Sequence, residues 1–230
     1  MVRRLIFGVL VVAVLAIGAS GVWYSLTKGG LVKPPELQQL AAVEVKQYEG
    51  KNLSSVKDFR ENSIKGPQHV DISTYQLKIG GLVNKPVSFT YDQIIGDYKH
   101  YRKMVRLDCV EGWNVNILWE GMLVKELVLK AQPKPEAKVI IFKAYDGYST
   151  SFPIDYIMNN DIIMAYKMND ITMPADRGYP FQLVAEMKWG YKWIKWITEI
   201  ELSDNEKYEG YWESRGYSNT GDLDKSFFDF

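Results

Sequence analysis

The sequence predicts an α+β domain rich in strands, with short helices between them, and three observations carry that expectation. Tyr75, Leu77 and Ile79 alternate with polar residues, and residues 87–91 alternate again, the period-two pattern of half-buried strands. A mainly apolar run over 138–144 stops at Asp146-Gly147, a hairpin signal, and strand character resumes over 148–152. The helical stretches between such runs are short: a helix begins over 92–95, another covers 122–131 and a third 154–158.

At 230 residues the chain is long enough for one sizeable core plus appendages. Lys plus Arg (28) equals Asp plus Glu (28), so no global field favours nucleic acid as a partner. A single cysteine forbids an intrachain disulfide and excludes Cys-rich zinc and iron–sulfur frameworks. There is no Gly-rich phosphate loop, no nucleophile elbow and no CXXCH haem attachment.

Taken in order, Arg3 and Arg4 precede an uncharged, mainly apolar run over 5–24. Twenty helical residues span about 30 Å, enough to cross a bilayer, and the leading positive charge sets the remainder outside the cytoplasm. The competing reading is a cleaved signal peptide, because the stretch 16–21 offers small residues near the end of the run. Arg3-Arg4 also resembles a twin-arginine export signal with poorly matching flanks. Residues 1–26 are thus expected to be a membrane anchor or signal segment, 27–57 a linker and short helix (helical periodicity over 37–48), and 58–230 the domain.

Within that domain, 58–67 is a polar loop, ordinary in composition, whose Asn62, Ser63 and Lys65 carry donors. A strand approach through Met104, Val105 and Leu107 delivers Cys109 to the point where polar and glycine residues take over. The plain reading of a lone cysteine is a small buried hydrophobe. The chemical reading is a soft metal ligand, with Arg106 three residues upstream as the cation that would favour the thiolate. Residues 162–167 form a strand, Asn169-Asp170 a turn, 174–180 a loop, and 181–185 and 193–202 the closing strands. Lys188 and Lys192 are spaced to share a strand face, either solvated or binding an anion.

The block Arg106-Leu-Asp-Cys-Val-Glu-Gly-Trp113, then Trp119-Glu-Gly121, resembles the core signature of the sulfite-oxidase-fold molybdopterin oxidoreductases. It is most similar to the branch that holds the periplasmic methionine-sulfoxide reductase catalytic subunit. Five further blocks occur in the expected order: 75–83, 163–169, Arg177-Gly-Tyr-Pro180, 188–192 with Lys195, and 210–219. The resemblance runs from Asp58 to Asp224. It implies a strand-rich sulfite-oxidase-type fold, a molybdenum-molybdopterin cofactor (tungsten being the alternative metal), and Cys109 as the single protein ligand to the metal. It implies that Asn62, Ser63, Lys65, Arg106, Arg177, Lys192 and Lys195 surround the cofactor, and that oxygen-atom transfer is the chemistry.

Departures from the pattern cluster around Pro180. Sulfite oxidases carry His-Gly and the sulfoxide reductases Asn-Gly where this chain has Arg177-Gly178, and the arginine that often follows the proline is Gln182. Val110-Glu-Gly-Trp-Asn114 replaces the Gly-Asn-Arg of sulfite oxidases, which favours sulfoxide reduction over sulfite oxidation. A fold that binds without turnover is the second reading, and retention of Cys109 speaks against it. With no second redox centre in the chain, a membrane redox partner, a cytochrome or quinone-linked subunit, is expected to exchange electrons with the metal.

Overall fold

The structure, a computed structural model, describes residues 35–228. Contacts divide the chain into a unit ending at Ala42 and a body over Val43–Phe230. The expected anchor lies outside the described residues. Among those described, no helix is long and apolar enough to cross a membrane.

The first helix, α1, covers Pro35–Val43 and stops five residues short of the periodicity that suggested it. Glu44 explains the stop. Its carboxylate turns inward and accepts from Val56 N and Asn169 Nδ2, both at 2.9 Å, and from Ser55 Oγ. A two-stranded ribbon, β1 (Gln47–Tyr48) with β2 (Lys51–Asn52), follows.

Two five-stranded sheets make the body. The first runs β4-β3-β12-β7-β8, from β3 (Leu77–Gly81), β4 (Val87–Phe89), β7 (Val139–Ala144), β8 (Ser149–Pro153) and β12 (Ile197–Ser203). Only the β3–β12 pair is parallel, and β12 sits in the middle with Ile197, Ile200 and Leu202 buried. The second is β10-β9-β6-β5 with β11 also on β9, from β5 (Tyr101–Asp108), β6 (Asn114–Leu123), β9 (Ile163–Met168), β10 (Ile171–Thr172) and β11 (Gln182–Val184). Asn169 and Asp170 turn β9 into β10, both at positive φ (48° and 63°), which Asn and Asp tolerate through local hydrogen bonding.

The helices are as short as expected. Helix α2 (Tyr91–Asp97) starts at a capping box in which Thr90 and Gln93 exchange side-chain and backbone bonds. Helices α3 (Val124–Lys130) and α4 (Ile154–Met158) touch each other, and α4 lies against β7 and β8.

Two expectations fail. Residues 122–123 end the ten-residue strand β6 instead of opening the helix. Seven of its ten positions are buried, so the alternation that marks a half-exposed strand is absent. Residues 193–196, expected to open the last closing strand, are irregular chain, so β12 starts only at Ile197. Lys188 and Lys192 share no strand face, because a 3-10 turn (Gly190–Lys192) lies there.

Candidate cofactor site

Strand β5 ends at Asp108, and the chain returns to β6 through a tight loop closed by Cys109 N→Trp113 O (2.9 Å) and Gly112 N→Cys109 O (3.0 Å). Gly112 supplies the positive φ (83°) that the loop needs. Cys109 is thereby held in the wall of a cavity of ≈ 390 Å³. The turn Gly190–Lys192 closes on it from behind: a Cβ at Gly190 would lie 3.3 Å from Cys109 Cα, so the absence of a side chain lets the two backbones approach.

Around the sulfur the expected residues separate into two groups. Asn62, Ser63, Arg177 and Lys195 line the cavity with Cys109. Asn62 Nδ2 donates to Cys109 Sγ at 3.7 Å. Ser63 Oγ is buried with no protein partner. The Arg177 guanidinium donates from Nε to Val56 O (3.0 Å) and from Nη2 to Phe59 O (3.2 Å). Lys195 Nζ pairs with Glu61 at 2.7 Å; burial pulls its pKa below the usual lysine value and the Glu61 carboxylate opposes that pull.

The other three are elsewhere. Arg106 is out on the surface, paired with Asp108 two residues on, because even positions of β5 face away from the cavity. Lys65 is exposed and does not line the cavity. Lys192 is fully buried, and its ammonium is spent on Ser151 O (2.7 Å), Glu213 Oε1 (2.7 Å) and Asn219 O (2.9 Å). It ties the turn behind Cys109 to β8 and the C-terminal segment, a structural duty in place of the expected cofactor contact.

Burial raises the Cys109 thiol above its ordinary value, with the Glu111 charge adding to the rise. The Glu111 N–H, the Asn62 amide and the charge of Arg60 oppose it. The cation near the thiol is therefore Arg60, not Arg106. A metal cation bound at the sulfur would supply charge that replaces the lost solvation and favours the thiolate.

Several wall residues escaped the sequence reading. Asp146 is 2% exposed yet lines the cavity, with Oδ1 accepting from Tyr148 N at 2.9 Å. As half of a hairpin signal it carried no chemical mark. Trp113, Trp193, Trp212 and Tyr217 supply aromatic wall, and Phe59 packs 6.2 Å from Trp113 and 6.5 Å from Trp119. They come from four separate stretches; Trp113, Trp212 and Tyr217 lie inside the blocks that carry the resemblance, but nothing in the sequence assigned these aromatics a place in the wall.

The donor set suits a soft metal held by one thiolate and an anionic, hydrogen-bonding organic group. The orphaned Ser63 hydroxyl needs a partner, Lys195 carries charge to the wall, and Arg177 keeps Nη1 outside any bond to the described residues.

Residues 64–212 match the family model described as an oxidoreductase molybdopterin binding domain. The chain is 27% identical over 157 residues to an uncharacterized oxidoreductase, YuiH, of Bacillus subtilis, covering 68% of this chain and 78% of that protein. It is 31% identical over 149 residues to the protein-methionine-sulfoxide reductase catalytic subunit MsrP of Gluconobacter oxydans, covering 57% of this chain and only 48% of the relative. The fold is similar to that of the sulfane dehydrogenase SoxCD from Paracoccus pantotrophus, with a TM-score of 0.64 at 20% identity over 84% of this chain and 52% of that one. With a cysteine in the cavity wall, this fold and a family match over most of its length, the chain belongs to the oxidoreductases with a molybdopterin-binding domain and uses a molybdenum-molybdopterin cofactor.

Proposed function

We propose that this oxidoreductase reduces a neutral sulfoxide, and the charge balance of the cavity carries that reading. Its wall holds four carboxylates, Glu61, Glu111, Asp146 and Asp176, against three cations, Arg60, Arg177 and Lys195. Arg60 lies 3.7 Å from Glu111, Lys195 pairs with Glu61, and Arg177 serves two backbone carbonyls. What charge remains to Arg177 and Lys195 is needed by the cofactor phosphate, so no cation is left over for a doubly charged sulfite. A neutral sulfoxide with apolar substituents matches the aromatic wall of Trp113, Trp212 and Tyr217. The relatives named as methionine-sulfoxide reductases support the same substrate class.

Cys109 would ligate the metal, Asn62 would orient the sulfur, and Ser63, Arg177 and Lys195 would hold the organic part of the cofactor. When bound, the cofactor supplies a two-electron couple that exchanges an oxygen atom with the substrate. The aromatic wall then sets the substrate's orientation and excludes water. Reduction of a sulfoxide also consumes two protons and releases water. The uncharged run over 5–24 supports a single-pass tether with the domain outside the cytoplasm, served by a cytochrome or quinone-linked subunit in the same membrane.

The test is purified, cofactor-loaded protein assayed both ways: with methionine sulfoxide and a reduced dye, and with sulfite and an oxidised acceptor. Turnover of the sulfoxide with negligible sulfite oxidation is expected. The opposite preference would overturn the reading.

A further inference from the structure

Residues Arg60–Gly66 are unlike the rest of the cavity wall. Five consecutive residues, 60–64, line the cavity, yet none of their backbone N–H or C=O groups bonds to any described residue. Buried backbone is normally paired, so these groups face solvent or the cavity, and nothing in the ladders resists their movement. The chain upstream is pinned: Ser54 N→Asn116 O (2.8 Å), Val56 N→Glu44 Oε2 (2.9 Å), and the two Arg177 bonds to Val56 O and Phe59 O. Phe59, 8% exposed, is the last buried anchor. Downstream stands Gly66 at φ 77°, with open space around it and Gln68 Nε2 donating to its carbonyl at 2.7 Å, followed by Pro67.

Between these fixed points the segment is held by side chains alone. Glu61 pairs with Lys195, Arg60 lies near Glu111, and Asn62 rests on the metal-binding sulfur. We propose that residues 60–66 are a flap that swings about Phe59 and Gly66 to admit the molybdopterin cofactor and is latched by the Glu61–Lys195 and Arg60–Glu111 ion pairs. The wall it forms stands over Cys109, itself only 9% exposed, so its opening controls the route to the ligand. The flap concerns loading and is independent of which oxide the enzyme reduces.

A gate of this kind has a kinetic signature. The full chain is prepared without cofactor and mixed anaerobically with molybdopterin cofactor in stopped flow. Quenching of the cavity tryptophans Trp113, Trp193 and Trp212 reports uptake. The observed rate should level off with cofactor concentration at the opening rate of the flap. Hydrogen exchange should show amides 60–64 opening far faster than those of β6. Glu61→Gln and Arg60→Gln should raise the plateau roughly two- to fivefold each, the range of partly exposed ion pairs, and added salt should raise it in the unaltered chain. Competition between Glu61 and the cofactor phosphate for Lys195 would change affinity without moving the plateau, which separates the latch from simple charge competition. Rates that climb linearly with no plateau overturn the gate. So does a plateau indifferent to salt and both substitutions. If a variant fails to fold, the salt dependence and exchange of the unaltered chain decide alone.

Discussion

At the scale of single residues, Cys109 and Lys192 show how a side chain's role follows from what surrounds it. Replacing Cys109 by Ser keeps nearly the same volume but puts a hard oxygen where a soft thiolate is needed. Cys109→Ser should abolish turnover and metal retention while leaving the fold intact; metal analysis beside circular dichroism checks this, and full metal content would remove Cys109 from the ligand role. Lys192 was expected at the cofactor and instead meets Glu213 at 2.7 Å with both side chains fully buried. Burial pulls the Lys192 pKa down while the Glu213 charge pushes it up. Lys192→Met strands the Glu213 carboxylate and should cost about 3–5 kcal/mol, whereas Lys192→Met combined with Glu213→Leu should recover most of it. Denaturant midpoints of the three proteins decide; equal loss in the single and double variants would show that the pair is not the unit that matters. No spacing rule separates Lys192 from Lys195, three residues on, since the 3-10 turn that sends one inward and the other to the cavity depends on Gly190 packing against Cys109.

At the scale of elements, β6 is the central strand that sequence periodicity did not reveal. Its Glu120 stands directly opposite Arg102 of β5 and Lys167 of β9, so a carboxylate on the middle strand is flanked by cations on both sides. Burial alone would raise the Glu120 carboxyl, but hydrogen bonds from Tyr166 and Lys167 and the charges of Lys167 and Arg102 outweigh it. The folded value lies below the ordinary 4.5, so the stabilisation is complete above that value and lost as pH falls through the folded one. Glu120→Gln should therefore cost stability near neutral pH, and the gap between the two proteins should narrow from about pH 5 to about pH 3. Parallel denaturation curves with a pH-independent gap would show that the Glu120 charge contributes nothing. Exposed strands and turns were legible where a pattern had to face water. Thr90 with Gln93 and Asn169 with Asp170 mark their helix start and hairpin by local chemistry alone. Strand β6, buried on both sides, has no such face to display.

At the scale of the whole molecule, the open question is how electrons reach the metal. The sequence carries no haem motif and no second cysteine, and we propose that the exchange passes to another protein. If residues 5–24 tether the domain beside its partner, deleting residues 1–30 should leave dye-driven turnover intact and remove most turnover driven by membranes. Equal membrane-driven rates before and after deletion would contradict the tether.

The sequence by itself determined the strand-rich class and the family, and it singled out Cys109 as the candidate metal ligand. Alternation, turn pairs and the Cys109 block are local signals that survive without knowledge of the fold. Only the tertiary structure decided the composition of the cavity wall. Phe59, Asp146, Arg177, Lys195 and Trp212 are far apart in the chain, and it is the two sheets and the loops between them that bring them to one sulfur. The same step dismissed Arg106, Lys65 and Lys192, because whether a cation faces a cavity, the solvent or a buried carboxylate depends on what the rest of the chain packs against it.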